Sequence, residues 1–91
     1  MINVLNRDLN EKTRFIRERG YIPAIIYSPQ LEKNLPIELY NTDFKRFLES
    51  NGHKGNIELN LDGDIKKCVI KDVQIDGIKE EFLHIDFMLV E

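Results

Sequence analysis

Apolar and polar residues alternate along most of this 91-residue chain, and this pattern predicts a protein built mainly of short strands. A continuous apolar run at 22–27 indicates a further, buried strand. Asp62-Gly63 is a strong hairpin signal, Asp76-Gly77 predicts another turn, and a polar loop is expected over residues 28–34. The alternating segments are residues 2–4, 35–39, 56–61, 65–74 and 81–90.

The first helix is expected over residues 11–19, with Asn10 as its N-terminal cap and Gly20 at its end. It is short and mostly polar, since only Phe15 and Ile16 offer apolar contact. Its basic side chains are therefore predicted to be largely exposed: Lys12, Arg14, Arg17 and Arg19.

A second helix is predicted after Asn41 or Thr42, either of which can serve as its cap. Its apolar residues follow the i, i+3, i+4 spacing of an amphipathic helix, and it ends near residues 50–52. The chain thus has about six short strands and two helices. This pattern favours a mainly β (α+β) fold, either a small barrel or a strongly curved sheet with helices at its ends or side. The apolar helical residues are Phe44, Phe47 and Leu48.

The last strand contains a polar pair, His84 and Asp86, inside an otherwise apolar segment. Residues two apart on a strand share a face, so both side chains point the same way. The alternate residues are expected to point into the core: Leu83, Ile85, Phe87 and Leu89. Because a buried polar group needs a hydrogen-bonding partner, the pair is either satisfied within the protein or contacts a ligand laid across the sheet.

Composition, with 42% hydrophobic and 32% charged residues, is that of one small globular domain spanning residues 1–91. The lone cysteine, Cys68, excludes an intrachain disulfide, is expected to act as a small buried hydrophobe, and fits a reducing cytoplasm. No apolar run approaches a membrane span. With His53 and His84 as the only imidazoles and no nucleophile poised beside either, no metal site and no catalytic residue are expected.

The net charge of −3 argues mildly against nucleic acid as a partner. Residues 7–19, however, hold five basic and three acidic residues, a local charge of +2 on an otherwise acidic chain. That segment is either a solvated helix face or an electrostatic handle for a polyanion. Strand positions add polar groups near His84 and Asp86 that can read base edges and ribose hydroxyls. These groups are Tyr27, Lys71, Asp72 and Gln74.

At these residues the chain resembles the bacterial large-subunit ribosomal protein twenty-five family, which includes the N-terminal domain of the general stress protein CTC. The resemblance covers about residues 11–90. The chain departs from the family pattern after the tyrosine, where Ser28-Pro29 replaces a usual glycine, and after the glutamine, where Ile75-Asp76-Gly77 replaces a basic residue and a proline. The matching motifs are Arg17, Gly20, Pro23-Ala24-Ile25-Ile26-Tyr27, Lys71-Asp72-Val73-Gln74 and His84-Ile85-Asp86-Phe87.

The resemblance implies a six-stranded antiparallel or mixed β-barrel with two or three short helices that binds 5S ribosomal RNA at its internal loop E. It implies a ribosome-associated cytoplasmic protein that is monomeric off the ribosome, with neighbouring large-subunit proteins as further candidate partners. No cofactor is implied beyond Mg²⁺ held by the RNA. The RNA-binding residues it implies are Lys12, Thr13, Arg14, Arg17, Tyr27, Lys71, Gln74, His84 and Asp86.

Two other functions remain open from the sequence. One is a non-enzymatic protein-interaction or stress-related domain that kept the barrel and lost RNA binding, a reading motivated by the acidic balance. The other is a hydrolase using His84 and Asp86, which requires a concave pocket with a nucleophile within reach of His84.

Overall fold

The computed structural model describes residues 1–29, 34–52 and 55–90, and within them the chain forms a closed barrel of six strands with two helices. The predicted mainly β barrel is confirmed, and its sheet is mixed. Residues 30–33 of the predicted polar loop, and His53, lie outside the described residues. The elements are β1 (Ile2–Asn6), α1 (Thr13–Glu18), β2 (Tyr21–Tyr27), β3 (Leu35–Tyr40), α2 (Asn41–Asn51), β4 (Asn56–Leu61), β5 (Asp64–Asp76) and β6 (Glu81–Leu89).

The strands follow the order β1-β3-β2-β6-β5-β4 around the barrel. Neighbouring strands are antiparallel except for two parallel pairs, β1 with β4 and β2 with β6. These parallel pairs join strands far apart in sequence and close the sheet on itself, which removes its edges. In this order β6 lies across the barrel from β1, so the outer faces of these two strands point to opposite sides of the molecule.

The core fills the barrel with one face of each strand. Cys68 is fully buried within it, as predicted, and burial raises the pKa of its thiol to about 11. Phe44 of α2 lies edge-to-face against Phe82 at 5.2 Å and Phe87 at 6.5 Å between ring centroids, so α2 is part of this core.

Two turns behave as their residues predict. At the β4–β5 hairpin, Asp62 and Gly63 have φ of 54° and 88°, the left-handed pair that a two-residue hairpin turn requires. After β5, the carboxylate of Asp76 accepts the backbone N–H groups of Ile78 at 3.0 Å and Lys79 at 3.2 Å. These bonds stabilise the turn and lower the pKa of Asp76.

Helix α1 begins two residues later than predicted, and Asn10 is not its cap. Lys12 occupies the N-cap position without a side-chain hydrogen bond. Asp8 instead accepts the N–H of Asn10 on its side chain at 2.9 Å and the N–H of Glu11 on its carbonyl at 3.1 Å. These two bonds hold residues 8–11 in a turn, so the helix begins only after it. The helix ends at Glu18, one residue earlier than predicted, and Gly20 follows the C-cap residue Arg19 with φ of 87°, in the helix-ending role predicted for it.

Helix α2 follows β3 with no loop, so its N-cap residue is Tyr40 and neither predicted cap residue acts as one. Asn41 is the first helical residue, and its backbone N–H donates to the Gly20 carbonyl at 2.9 Å. Its side-chain oxygen is buried without a hydrogen-bond partner among the described residues. The predicted apolar face is confirmed, since Phe44 is fully buried and Phe47 and Leu48 pack against the core.

Strand β6 carries an irregularity that the alternation pattern did not predict. Gln74 of β5 pairs with His84, but the next residue, Ile75, pairs with Phe82, so Leu83 is an extra residue in β6. Ile85 and Phe87 point into the core as predicted, and Leu89 packs against it. Phe82 takes the inward place expected for Leu83, which the bulge moves to the outside. Neither described helix is long and apolar enough to cross a membrane.

Candidate nucleic-acid interface

A surface hollow of about 390 Å³ lies where α1 meets the outer face of β5 and β6. Five of the nine predicted RNA-binding residues line it, together with the bulged Leu83. They come from three segments that are far apart in the sequence. The lining residues are Thr13, Arg17, Gln74, Leu83, His84 and Asp86.

The floor of this hollow is set by the register of β5 and β6. Gln74 pairs with His84, and Asp72 pairs with Asp86, so their side chains share the outer face of the barrel. The Nδ1 atom of His84 lies 3.2 Å from a carboxylate oxygen of Asp86. The His84–Asp86 pair is therefore partly satisfied within the protein and remains half-buried at the surface, with side chains 22% and 33% exposed.

Helix α1 supplies the other wall. Arg17 donates through Nη1 to the carbonyl of Leu83 at 3.3 Å, which joins α1 to the bulge of β6. The bulge therefore moves Leu83 out of the core and brings its carbonyl within reach of α1, directly before the outward-facing His84. Thr13, the first helical residue, lines the same hollow.

The other four predicted residues lie around the hollow without lining it. Tyr27 of β2 pairs with Met88 of β6, which lies two residues after Asp86 on the same strand. Tyr27 is therefore on the same outer face as Asp86. Lys71 is exposed at a second register shift, next to Asp72. Lys12 and Arg14 are exposed on α1, where the Arg14 guanidinium lies 4.8 Å from the centre of the Phe15 ring.

Sequence reasoning missed two features of this region. Leu83 lies outside the core, contrary to the prediction, because strand periodicity gives no sign of a bulge. Arg19 is exposed, as predicted, but the sequence gives no sign that its guanidinium is bound to two carboxylates, those of Glu11 and Glu38. The local positive charge available to a ligand is therefore smaller than the sequence count suggests, and it comes mainly from Lys12, Arg14 and Arg17.

The chemistry of the hollow suits recognition better than catalysis. Gln74 offers both a donor and an acceptor, Asp86 offers acceptors, and Arg17 offers donors that carry charge. Nucleophilic catalysis requires a hydroxyl or thiol hydrogen-bonded to a base such as His84. Among the described residues, no hydroxyl or thiol makes that bond. The same part of the chain contains no group of three or more side chains able to hold a metal ion.

A second hollow of similar volume, about 410 Å³, lies on the side of β1 next to α2. Its charged side chains are Asp43 and Arg46, and its other polar side chains are Asn3, Ser50 and Asn51. The aromatic residue among those lining it is Phe47, and no histidine of the described residues lines it. Phe47 packs against the core. Volume alone therefore does not distinguish the two hollows.

Comparison with known proteins finds similarity to one family of ribosomal proteins. The chain matches the model of the Ribosomal L25p family over residues 2–87. It is 30% identical over 90 residues to the large ribosomal subunit protein bL25 of Thermoanaerobacter sp. (strain X514), covering 98% of this chain and 45% of that protein. It is 36% identical over 80 residues to bL25 of Halalkalibacterium halodurans, covering 87% of this chain and 37% of that protein.

The protein bL25 of Bacillus licheniformis is similar to a comparable extent, with 32% identity over 78 residues, which is 86% of this chain and 37% of that protein. The chain thus spans less than half the length of these relatives. The family match itself extends over almost all of the residues that build the barrel. The chain therefore belongs to the Ribosomal L25p family.

Proposed function

We propose that this chain is a structural constituent of the bacterial large ribosomal subunit and binds 5S ribosomal RNA at loop E through α1 and the outer face of β5 and β6. The observation that carries the proposal is the convergence of Thr13, Arg17, Gln74, His84 and Asp86 on one hollow. The family match and the printed names of the relatives support the ribosomal part. The 5S RNA and its loop E come from the motif resemblance.

The outer face of β5 and β6 has the groups needed to read an RNA groove. The wide, shallow minor groove of RNA displays base edges and 2′-hydroxyl groups. The carboxylate of Asp86 accepts from a 2′-hydroxyl or a guanine amino group, and the amide of Gln74 donates and accepts at a base edge. A strand surface holds these groups rigidly, so they meet a groove of fixed shape.

Helix α1 completes the proposed site with positive charge at its edge. Arg17 is half-buried beside the hollow, and Arg14 and Lys12 are exposed on the same short segment. Arginine binds phosphate oxygens through a planar fork of donors, which makes it suited to the backbone next to a groove. Contacts of this kind fix the register of the protein on the RNA, while the sheet face supplies specificity.

Salt dependence of binding tests this division of roles. Since only about three or four cationic side chains border the hollow, few phosphates are neutralised, and the slope of log K against log salt should be smaller in magnitude than about 4. The experiment is a fluorescence anisotropy titration of a loop E fragment of 5S RNA at several salt concentrations. No saturable binding at low salt contradicts the proposal.

A matched pair of variants tests the location of the site. His84→Ala should weaken RNA binding about tenfold, the value of one good polar contact, while leaving the fold intact. Asn3→Ala is the control, because Asn3 is an exposed polar residue on β1, across the barrel from β6. Equal losses of affinity in the two variants would place the RNA elsewhere or show a general effect on folding.

A second candidate function is a protein-interaction domain that does not bind RNA. It is favoured by the carboxylates of Asp72 and Asp86, which stand opposite each other on the proposed binding face and repel phosphate. Under this function His84→Ala changes stability and has no RNA affinity to reduce. Immunoblotting of ribosomal fractions separates the two functions in cells, since only the first requires the protein to sediment with the large subunit.

A further inference from the structure

We propose that Arg19 is a positioning residue for the RNA-binding hollow: its guanidinium, bound to Glu11 and Glu38, holds α1 in place over β5 and β6. The inference rests on the proposed function and extends it to residues that do not line the hollow. It is built on hydrogen bonds, burial and the weak intrinsic stability of α1.

The guanidinium of Arg19 makes four hydrogen bonds to two carboxylates. It donates to Glu38 from Nη1 at 3.0 Å and from Nη2 at 3.2 Å. It donates to Glu11 from Nε at 3.1 Å and from Nη2 at 2.8 Å. The Cζ atom of Arg19 also lies 5.4 Å from the centre of the Tyr21 ring. These carboxylates raise the pKa of Arg19, whose guanidinium is charged at any physiological pH. This guanidinium is a planar fork of donors that joins Glu11 to Glu38.

Glu38 explains why this arrangement is specific. Glu38 is the one charged residue that is buried among the described residues, with 4% of its surface exposed. Its neighbours Ile37 and Leu39 lie in the core, so its side chain leaves β3 on the outer face, beneath Arg19. A buried carboxylate needs a partner of opposite charge with good hydrogen-bonding geometry, because its lost hydration is costly. Arg19 is that partner, and the need of Glu38 for it fixes where the end of α1 lies.

Helix α1 needs such an anchor. It has six residues, a single buried apolar side chain, Ile16, and no side-chain hydrogen bond at its N-cap. Helices this short are marginal in water, so tertiary contacts must hold them in place. Arg19 is the C-cap residue, and Glu11 precedes the N-cap residue Lys12, so the fork connects the two ends of α1 and ties both to β3.

The position of α1 in turn sets the geometry of the hollow. Thr13 and Arg17 reach the hollow from this helix, while the polar groups they face belong to the rigid strands. The Arg17 bond to the Leu83 carbonyl, at 3.3 Å, is long enough that a small shift of α1 would break it. Releasing the fork is therefore expected to misplace the phosphate-binding arginine without touching the strand residues.

The test uses the opposite signs of two effects. Glu38→Gln removes a negative charge, and simple electrostatics predicts tighter RNA binding. The positioning role predicts weaker binding, by about tenfold, as for the loss of one charge-assisted contact. The probe is the loop E fragment of 5S RNA, with affinity measured by anisotropy. Glu58→Gln on β4 is the control, since Glu58 is exposed, and it should leave affinity unchanged or slightly higher.

A second arm shows that the effect passes through Arg17. In an Arg17→Gln background, Glu38→Gln should change RNA affinity by less than about twofold, because the contact it misplaces is already gone. Unchanged or tighter binding of the single variant, or full additivity in the double variant, overturns the inference. Glu11→Gln, at the more exposed end of the fork, replaces Glu38→Gln if the latter does not fold.

Hydrogen exchange separates failure of this inference from failure of the proposed function. In the free protein, Glu38→Gln should speed exchange of the α1 amides by about tenfold or more while the β5–β6 amides stay protected. If the parent protein binds no RNA but this local effect is seen, the proposed function fails and the anchoring of α1 stands. If α1 exchange does not change, the anchoring itself is refuted.

Discussion

Two hollows of nearly equal volume lie beside the two helices, about 390 Å³ next to α1 and about 410 Å³ next to α2, and the helices are held in opposite ways. Helix α2 inserts the fully buried Phe44 among Phe82 and Phe87. Helix α1 buries one apolar side chain, Ile16, and depends on polar contacts from Arg17 and Arg19.

This difference separates a helix that builds the core from a helix that serves the surface. The hollow beside α2 lies between this amphipathic helix and β1, and the packing of the helix accounts for its lining. The hollow beside α1 gathers polar side chains from three distant segments onto a rigid sheet face. Both hollows are lined by five polar side chains, so what identifies the candidate binding site is that its lining comes from α1, β5 and β6 and includes five of the predicted RNA-binding residues.

The largest expected effect comes from removing the aromatic ring that α2 inserts into the core. Phe44→Ala should lower the free energy of unfolding by about 3–5 kcal/mol, because it removes a fully buried aromatic ring and leaves a cavity. Phe15→Ala on α1 is the matched control, since Phe15 is 41% exposed, and it should cost less than about 1 kcal/mol. Urea unfolding measures both, and equal losses would show that the two helices contribute alike.

Alkaline pH should weaken the same core. The buried Cys68 thiol has a pKa of about 11 against 9.0 for an ordinary thiol, so between these values the unfolded chain loses a proton that the folded chain keeps. Stability should therefore fall as pH rises through this window, by up to about 1 kcal/mol per pH unit. Unfolding of Cys68→Ala provides the reference, and a parallel pH dependence in both proteins would assign the effect to other groups.

The next effect distinguishes the two helices as ligand-binding elements. Arg17→Gln should weaken binding of the loop E RNA about tenfold, because it removes a charge-assisted phosphate contact at the edge of the hollow. Arg46→Gln removes the same charge from the hollow beside α2 and should change affinity less than about twofold. Anisotropy at one fixed salt concentration compares the two, and a similar loss in both would indicate a charge effect without a defined site.

The smallest expected effect concerns charge on the binding face itself. Asp72 and Asp86 are directly opposite on neighbouring strands, and like charges in such pairs are destabilising. Asp72→Asn should therefore raise the free energy of unfolding by about 0.2–1 kcal/mol and strengthen RNA binding slightly. Asp64→Asn is the control, because its carboxylate pairs with Lys66 at 3.0 Å and lies outside this face. A drop in RNA affinity on Asp72→Asn would instead make Asp72 a reader of the RNA.

Local patterns predicted much of this molecule. Alternation located the strands, Asp62-Gly63 located a hairpin, and the spacing of Phe44 and Phe47 located the buried face of α2. Each of these depends on neighbours in sequence, where periodicity and turn conformation act directly. The outward direction of His84 and Asp86 followed from the same rule.

Long-range contacts were not predictable in this way. The bulge at Leu83 arises from the pairing of β5 with β6, and the burial of Glu38 depends on Arg19 reaching across from another element. Helix α1 starts later than its sequence predicts because hydrogen bonds to Asp8 hold residues 8–11 in a turn. Such features are decided by which segments meet in the folded barrel, and no single window of sequence contains that information.

We propose that α1 and the outer face of β5 and β6 form one RNA-binding surface. Titration of the isotopically labelled protein with the loop E fragment, followed by backbone and side-chain NMR shifts, tests it most directly. We expect the NMR signals of Thr13, Arg17, Gln74, His84 and Asp86 to shift together along one binding curve. Signals from the hollow beside α2, such as those of Asp43 and Arg46, should not shift. Shifts centred on α2, or no saturable shifts at all, would contradict it.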